Sequence, residues 1–445
     1  MEKQQLIKGF SKKTRDEKLN FVSQHCTSAS NVAEMLKSFH HPNPKIQKLL
    51  EEFSENTISN FPLPLNICPN LLVNGKSYLC PMVIEESSVV AAASHAAKYW
   101  FVHGGFHTEI LGLEKVGQVH FLWNDDKNLL FEKFDELKEK LIRDTFEITE
   151  NMIKRGGGIQ SIELRDLSAQ EPGLMQLYVT FNTVDSMGAN FINSCLEQFS
   201  KSFQAWHAQH HEFKKNGLEV IMCILSNFTP NCKVRCWVEA PISEMDDVIE
   251  GMSGVEFARR FRLGIRVAEL DPHRSTTHNK GIMNGIDAVV LASGNDFRAV
   301  EACAHTYAAK DGKYTSLSHC SIENGIFRFE AELPFAVGVV GGLTNLHPLV
   351  KFCLELLDHP SAEELMSIAA AVGLANNFSA VKNLVTVGIQ QGHMKMHLLN
   401  IMNQLEIPEN EKPRIIEYFK NKVVSVSAVR NLAYKWELIK DKLTK

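Results

Sequence analysis

The sequence predicts an α+β protein built from more than one domain. The chain has 445 residues, which exceeds the usual size of a single domain. Stretches such as NVAEMLKSF (31–39) and KIQKLLEEF (45–53) carry apolar residues at helical spacing, and short strands follow them irregularly. In the middle of the chain, strands and helices follow the order β-α-β-β-α-β, which is that of the split βαβ, or ferredoxin-like, arrangement.

Residues 1–112 are predicted to form the first part of a large mixed domain. Helical patterns fill its first 60 residues, and an apolar strand pair then surrounds the turn NGK. The second strand leads to Glu85 and Glu86, which precede a small-residue helix from about Ser88 to Tyr99. Taken alone, the two acids are most simply explained as members of the first helical turn, where they favour the helix dipole.

Residues 113–227 are predicted to form a small domain inserted in the large one. A strand at GQVHFLW is followed by a long charged helix over 128–155 and by two strands, IQSIELRDL and GLMQLYVTFNT. A second helix over 185–207 and a last strand, EVIMCILSN, complete the pattern. Because the order is self-contained, an insertion is the simplest explanation.

The second helix of this unit starts with the segment VDSMGAN (184–190). Asp185 is predicted as its N-cap, and Gly188 would let a ligand approach the helix N-terminus. By itself this is a weak sign of a nucleotide, and the GxGxxG fingerprint of a Rossmann site is absent. His207, His210 and His211 have helical spacing at what we expect to be an exposed helix end, so we expect no metal there.

Residues 228–387 are predicted to complete the large domain. Within HNKGIMNGIDAVVLASGNDFR (278–298), the segment Ile286–Ala292 is apolar apart from Asp287 and predicts a short buried strand. Lys280 and Asp296 flank it, and taken alone they are most simply a structural ion pair, since unpaired buried charges are costly. Residues 388–445 are predicted to be helical with a break at Gly-His, where His393 alone would be a loop or cap histidine.

Composition limits the possible partners. A net charge of -5 gives no preference for nucleic acid or an anionic membrane. The N-terminus lacks a hydrophobic signal core, and no stretch approaches the ~20 apolar residues of a membrane span. Of ten cysteines, only Cys232 and Cys236 lie close together, which favours reduced thiols over zinc. We expect a soluble, cytoplasmic protein without a metal.

Together, the four charged positions favour a specific chemistry. A carboxylic acid, a lysine held by an aspartate and a histidine on a mobile segment can supply protons and stabilise an oxyanion during carbonyl reduction. An anion-friendly helix start in a separate domain could hold a cofactor.

The sequence resembles the soluble, class II form of 3-hydroxy-3-methylglutaryl-CoA (HMG-CoA) reductase. The blocks that carry the resemblance span roughly residues 55–397: ENTISNFPLPL, PMVIEESSVVAAASHAAK, DSMGAN, ILSN, DPHRSTTHNKGIMNGIDAVVLASGND, VGGLTNLHP and AAAVGLANNFSAVKNLVTVGIQQGHM. The resemblance implies that HMG-CoA and mevalonate are interconverted by two hydride transfers with NADPH or NADH. It also implies a large substrate domain, a ferredoxin-like cofactor domain and a C-terminal flap over residues 388–445.

The resemblance assigns roles residue by residue. It implies four catalytic residues, Glu86, Lys280, Asp296 and His393. It implies four substrate contacts, Ser88, Arg274, Asn284 and Asn227. It implies a cofactor site at Asp185, Ser186, Met187, Gly188, Ala189 and Asn190. Relatives that use NADH carry an acid about seven residues before GGG (156–158), where this chain has Thr149; its absence favours NADPH slightly.

The resemblance also implies a homodimer with sites at the interface, either alone or as part of a higher oligomer of dimers. Asp296 would keep Lys280 charged, His393 would protonate the departing CoA thiolate, and Glu86 would donate a proton in the second reduction. Two alternatives stay open: the same enzyme used to degrade mevalonate, and a non-catalytic relative that binds CoA thioesters.

Overall fold

The computed structural model describes residues 6–26, 31–386, 388, 398–420, 422 and 424–439. The chain divides into two compact units, residues 1–64 and residues 65–445.

The first unit is helical. Its helices are a 3₁₀ helix Phe10–Lys12, α1 Arg15–Gln24, α2 Val32–Ser38 and α3 Pro44–Glu51. A capping box starts α1: the Thr14 hydroxyl accepts from the backbone N–H of Glu17, whose carboxylate accepts from the backbone N–H of Thr14. Arg15 pairs with Glu51 at 2.5 Å, which connects α1 to α3.

The second unit contains the strands and the longer helices. Its strands are β1 Leu65–Val73, β2 Lys76–Val83, β3 His107–Leu113, β4 Lys115–Trp123, β5 Gly158–Asp166, β6 Leu174–Asn182, β7 Leu218–Ser226, β8 Cys232–Pro241, β9 Ser318–Glu323 and β10 Ile326–Pro334. Its helices up to residue 209 are α4 Ser87–Phe101, α5 Lys127–Glu132, α6 Phe134–Asp144, α7 Phe146–Ile153 and α8 Ala189–Gln209. Those that follow are α9 Gly254–Leu270, α10 Pro272–Ala292, α11 Phe297–Ala308, α12 Pro348–Leu356, α13 Ala362–Val385, α14 Lys412–Phe419 and α15 Val426–Lys435.

The strand pair predicted around NGK is present as the hairpin β1–β2. Asn74 and Gly75 form its turn with φ angles of 47° and 82°. Positive φ at both central residues is what a type I′ turn needs, and its twist matches that of the paired strands. The hairpin ends next to α4, so it delivers Glu86 to the start of that helix.

The largest hydrophobic core surrounds α13. Side chains from the hairpin, from the antiparallel sheet β3-β8-β10-β9 and from α4, α9, α10 and α11 share this core. By length and composition, α13 is apolar enough to cross a bilayer, contrary to the expectation that no stretch approaches this, but 83% of its apolar window is buried within the protein. It is the central helix of the core.

The strand predicted at Ile286–Ala292 is wrong, because these residues form the last two turns of α10. The helix is buried on several sides at once, by α13, α9 and the hairpin. A short run that is apolar all round has no periodicity to distinguish a buried helix from a buried strand.

Two glycines bring α10 and α13 close together. A Cβ atom on Gly285 would lie 2.6 Å from the carbonyl oxygen of Val372, and a Cβ atom on Gly373 would lie 2.7 Å from the side chain of Ile286. Neither distance is tolerable for real atoms, so the contact requires glycine at both positions. The backbone of α10 is therefore fixed against the core helix.

The β-α-β-β-α-β order predicted for the middle of the chain is present. The strands form an antiparallel sheet in the order β5-β6-β4-β7, which is the strand order of a ferredoxin-like unit. Side chains from the sheet, α6 and α8 form a second core. The single helix predicted over 128–155 is instead three helices, interrupted at Lys133 and Thr145. The boundaries 113–227 for an inserted domain stay a prediction.

A third core lies near the C-terminus. Residues 398–404 are helical, and Leu398, Ile401 and Met402 pack with Ile415 of α14 and Val429 of α15. These residues belong to the segment predicted to be helical.

Candidate active site

Glu86 lies at the junction between β2 and α4. It is the N-cap residue of α4, but its side chain caps no backbone N–H of the helix. Its carboxylate accepts a hydrogen bond from the hydroxyl of Ser88 and lies 3.7 Å from the ammonium of Lys280. The side chains of Glu86 and Lys280 are 47% and 62% exposed, so a substrate can reach both.

Lys280 and Asn284 are one turn apart on α10, and a buried polar network orients this helix. His278 forms a 2.6 Å hydrogen bond with the hydroxyl of Ser318. The side chain of Asn279 donates to the carbonyl of Thr315 and accepts from the N–H of Leu317, both at 2.9 Å. Because both network residues directly precede Lys280, they fix the direction in which its side chain leaves the helix.

Arg274 occupies the start of the same helix and is half-buried. Among the described residues its guanidinium has neither an ion pair nor a hydrogen bond. Burial lowers the pKa of Arg274 from its ordinary value. Burial first, and the charge of Arg274 second, lower the pKa of His278 to about 3. A half-buried cation without a protein anion is suited to bind an anionic ligand, and its planar fork suits a carboxylate.

The ion pair expected between Lys280 and Asp296 is not formed within the described part of the chain. Asp296 caps α11 by accepting from the N–H groups of Arg298 and Ala299 at 3.0 and 3.2 Å. Its carboxylate also pairs with the guanidinium of Arg298 at 2.8 Å. The carboxylate that pairs with Lys280 is Glu86.

The DSMGAN segment differs from the predicted cap. Gly188, with a φ of 91°, is the N-cap residue of α8, and Asp185 lies outside the helix. One carboxylate oxygen of Asp185 accepts from the N–H of Ala362, the first residue of α13, at 2.9 Å. The other predicted cofactor residues are Ser186 and Met187 before the cap and Ala189 and Asn190 in the first helical turn. We call residues 183–188 the cofactor loop.

Lys115 at the start of β4 holds this loop by hydrogen bonds. Sequence reasoning missed this residue. Its side chain is buried, and its ammonium donates to the hydroxyl of Thr183 at 2.5 Å and to the carbonyl of Ser186 at 2.7 Å. Burial lowers the pKa of Lys115, although the nearby Cys232 and Asp185 oppose the change. A lysine beginning a strand carries no signal of this role in the sequence.

A cavity connects the cofactor loop with the end of β7. Asn227, a predicted substrate contact, lines it together with Met187 and Ala189. Ala299, three residues after Asp296, lines the same cavity. The predicted cofactor and substrate positions on these elements thus share one opening.

Thr149 does not face this cavity. It is buried in α7, and its hydroxyl donates to the carbonyls of Thr145 and Phe146. Glu150 and Lys154 on the same helix form an exposed ion pair at 2.7 Å.

Two histidine predictions have different outcomes. His393 lies outside the described residues. His207 is buried rather than at an exposed helix end and stacks on Phe213 at 5.6 Å, while His210 lies 3.1 Å from a carboxylate oxygen of Glu136. No group of three histidine, cysteine, aspartate or glutamate residues suited to a metal occurs in the part of the chain that the structure describes.

A group of titratable side chains that the sequence did not indicate lies where α10 meets α11. Asp287 contacts Glu301 of α11, whose carboxylate lies 2.5 Å from His305. His305 in turn bonds to the hydroxyl of Tyr314 at 2.7 Å. The only signal in the sequence was that Asp287 interrupts an otherwise apolar run.

The comparisons with known proteins identify the family of the chain. The family model described as hydroxymethylglutaryl-coenzyme A reductase matches residues 14–398. The chain belongs to this family. The 3-hydroxy-3-methylglutaryl-coenzyme A reductase of Archaeoglobus fulgidus is 35% identical over 416 residues, covering 92% of this chain and 90% of that relative.

The solved structures extend the family assignment to the class II form. The reductase of Streptococcus pneumoniae matches with a TM-score of 0.71 and 34% identity, over 85% of this chain and 99% of that one. A structure of the class II enzyme from the same organism, bound to NADPH in open conformations, matches with a TM-score of 0.70 and 34% identity, at the same coverage. The predicted fold class is confirmed, and the chain is an oxidoreductase of this family.

Proposed function

We infer that this chain interconverts HMG-CoA and mevalonate plus CoA, using two molecules of NADPH or NADH. The observation that carries this proposal is the exposed contact between Glu86 and Lys280. Glu86 is positioned by the β1–β2 hairpin that precedes it, and Lys280 by the close contact of α10 with α13. The Glu86–Lys280 contact combines an acid and a cation at one solvent-accessible point, as reduction of a carbonyl requires.

Lys280 is proposed to stabilise the oxygen that becomes negative when hydride reaches the thioester carbon. A preorganised donor of this kind contributes about 2.7–4 kcal/mol to transition-state stabilisation. The first reduction gives mevaldyl-CoA, a hemithioacetal, which collapses to mevaldehyde and a CoA thiolate. Glu86 donates a proton as the aldehyde is reduced, and the hydroxyl of Ser88 orients its carboxyl group.

Arg274 is proposed to bind the carboxylate of the glutaryl group. Support comes from its half-buried guanidinium, which lacks a partner among the described residues. Asn284 follows Lys280 by one turn and can donate to the substrate, while Asn227 approaches from the cavity wall. Asp296 caps α11 and is proposed to keep Lys280 charged from that position, without a direct ion pair.

The cofactor loop, together with Ala189 and Asn190, is proposed to hold the nicotinamide cofactor. When bound, the cofactor supplies hydride to the substrate carbon. The residues present fit such a ligand: Gly188 carries no side chain at the start of α8, whose N-terminus favours a phosphate, and Lys115 fixes the backbone below. Thr149 would act through α7 rather than by direct contact, because it is buried.

The remaining features of the proposal concern assembly and location. The sites are proposed to lie at the interface of a homodimer, alone or as part of a higher oligomer of dimers, in the cytoplasm. Residues 113–227 would be the inserted cofactor domain, residues 1–112 and 228–387 the substrate domain, and residues 388–445 the flap that carries His393.

His393 is proposed to protonate the CoA thiolate as it leaves. A histidine, with an ordinary pKa near ~6.5, suits this task. Because mevaldehyde has no thioester, His393→Gln should lose about 10²- to 10⁴-fold in HMG-CoA reduction and far less in mevaldehyde reduction. Glu86→Gln should impair both substrates. Equal losses on both substrates in the His393 variant would contradict the leaving-group role.

The decisive experiment measures stoichiometry with the purified protein. We expect two molecules of reduced cofactor to be consumed for each CoA thiol released from HMG-CoA. A protein that binds HMG-CoA without any consumption would instead be a non-catalytic relative. The direction of use, biosynthetic or degradative, would follow from whether growth on mevalonate requires the gene.

A further inference from the structure

The cofactor loop is held by a second segment of the chain, which follows β10 and comprises residues 336–340. We call it the support segment. The N–H groups of Val339 and Val340 donate to the backbone carbonyl of Asp185 at 2.8 and 3.3 Å. Ser186 and Val340 also form a parallel β-bridge. The backbone of the cofactor loop is therefore paired with the support segment, as one strand is paired with another.

Gly338 is the point at which the support segment comes closest to the loop. A Cβ atom on Gly338 would lie 3.0 Å from the carbonyl oxygen of Asp185 and still closer to the backbone nitrogen of Met187. A real Cβ atom does not tolerate such distances, so any side chain at this position would push the loop away. The position of the cofactor loop thus depends on the position of Gly338.

Asn295 holds Gly338 by both of its backbone polar groups. The side-chain nitrogen of Asn295 donates to the carbonyl of Gly338 at 2.9 Å, and its side-chain oxygen accepts from the N–H of Gly338 at 2.7 Å. The same side-chain nitrogen donates to the hydroxyl of Ser293 at 3.1 Å, and the backbone N–H of Asn295 donates to the carbonyl of Val290 at 2.9 Å. Because only an amide side chain both donates and accepts in this way, asparagine suits this position. Asn295 thereby connects the end of α10 to the support segment.

We propose that Asn295 is a positioning residue for the nicotinamide cofactor: it fixes Gly338, and Gly338 fixes the cofactor loop against the end of α10. The proposal rests on the function proposed above and adds to it a residue that acts through the backbone of the loop. Asn295 lies in the turn between α10 and α11, directly before Asp296. This turn therefore links the helix that carries Lys280 with the loop that is proposed to hold the cofactor.

The effect of Asn295 should be confined to the cofactor. Lys280 lies twelve residues before Ala292, the last residue of α10, which is about 18 Å along the helix axis. Arg274 lies farther still toward the start of the helix. A change at Asn295 should therefore leave the proposed substrate contacts in place while it releases the cofactor loop.

The test measures NADPH binding to the full-length protein from the fluorescence of the reduced nicotinamide, and KM for NADPH and for HMG-CoA separately. Asn295→Asp keeps the acceptor for the N–H of Gly338 but turns a carboxylate oxygen toward its carbonyl. The dissociation constant and the KM of NADPH should rise by on the order of tenfold, with little change in KM for HMG-CoA. The decrease in kcat at saturating NADPH should be smaller.

Gly338→Ala approaches the same contact from the other side. Its methyl group would displace the backbone of Met187, so NADPH affinity should fall although every side chain of α10 is kept. Because both residues act through one contact, the effects of Asn295→Ala and Gly338→Ala should not add in the double variant. Unchanged NADPH affinity in Gly338→Ala would overturn the proposal even if Asn295→Ala failed to fold.

Asn324→Asp is the matched control, because it makes the same chemical change at an exposed residue of the β9–β10 turn. It should match wild type. Equal increases in KM for NADPH and HMG-CoA in Asn295→Asp would contradict a role confined to the cofactor loop. A wild type that binds NADPH without oxidising it in the presence of HMG-CoA would overturn the proposed function, and the binding measurements would still decide the role of Asn295.

Discussion

Lys280 on α10 and Lys115 at the start of β4 are arranged in opposite ways, although each belongs to one half of the candidate site. Lys280 is 62% exposed and pairs with the carboxylate of Glu86. Lys115 is buried and donates to two uncharged oxygens, and burial lowers its pKa. The exposed lysine is accessible to a ligand, whereas the buried one uses its hydrogen bonds to hold a loop. Exposure and partner, not residue type, separate a chemical role from a structural one.

The largest expected effect tests the exposed lysine. Lys280→Met should lower kcat by about 10²- to 10³-fold on both HMG-CoA and mevaldehyde, because it removes the oxyanion donor from both reductions. Its melting temperature should stay near that of wild type, since the side chain is mostly exposed. Lys351→Met, on the exposed face of α12, serves as the control. A Lys280 variant with more than about a tenth of wild-type kcat would show that the assignment is wrong.

The buried lysine should show the reverse pattern. Lys115→Met removes the donor to the hydroxyl of Thr183 and one of the two donors to the carbonyl of Ser186, which keeps the hydroxyl of Thr183. The loss should reduce the free energy of unfolding by about 1–3 kcal/mol. KM for NADPH should rise more than KM for HMG-CoA, while kcat at saturation changes less than in Lys280→Met. Denaturant titration and steady-state kinetics measure the two effects. Lys201→Met, exposed on α8, is the matched control, and equal changes in both KM values would contradict a role confined to the cofactor loop.

The pH dependence of the free energy of unfolding tests the burial of His278 on α10. The pKa of His278 is lowered to about 3, so the folded protein favours the neutral ring. The stabilisation is fully present above the unfolded pKa of ~6.5 and is lost as the pH falls toward 3. Between pH 7 and pH 5 the free energy of unfolding should fall by about 2 kcal/mol from this group.

The comparison for this experiment is His278→Asn, which should be less stable at pH 7 but show a smaller difference between the two pH values. His319→Asn, at an exposed histidine, should behave like wild type. A wild-type stability that did not change between pH 7 and pH 5 would mean that His278 gains a partner for its charged form.

The smallest expected effect concerns the cofactor half. NADPH should be used at least as well as NADH, because Thr149 offers no carboxylate that would repel a 2′-phosphate, and Glu150 is paired with Lys154. The ratio of kcat/KM values measures this preference. Thr149→Asp should destabilise the protein by burying a carboxylate rather than create a preference for NADH. A hundredfold wild-type preference for NADH would show that another acid binds the ribose.

The sequence predicted best those regions in which local pattern and fold agree. The β1–β2 hairpin follows from Asn74-Gly75 between apolar runs. The β5-β6-β4-β7 sheet follows from the β-α-β-β-α-β order of its segments. The pattern failed at Ile286–Ala292, where burial on several sides removed the helical period. It also misplaced Asp185, whose partner is the distant Ala362 rather than the next helical turn.

The candidate site shows the same division. Glu86 and Lys280 could be assigned from the blocks that resemble the family, and the structure brings them to 3.7 Å. The carboxyl pair of Asp287 and Glu301 could not, because its members lie fourteen residues apart on two helices whose packing no local spacing specifies. The ion pair between Lys280 and Asp296, expected because both flank one segment, is not formed within the described part of the chain, where Asp296 pairs with Arg298. The role that the resemblance implies for Asp296 stays a prediction.

The hydrogen bond from the N–H of Ala362 to Asp185 makes α13 a rigid connection between the two halves of the candidate site. A 24-residue helix is about 36 Å long. Its first residue donates to Asp185 beside the cofactor loop, and near its midpoint Gly373 packs closely against the helix that carries Lys280. A ligand that breaks the hydrogen bond between Asp185 and Ala362 would release the N-terminus of α13, and one that strengthens it would hold more firmly the helix that packs against α10 and Lys280. The rate of hydrogen exchange at the amide of Ala362, measured with and without NADPH, would show whether the cofactor strengthens or weakens this hydrogen bond.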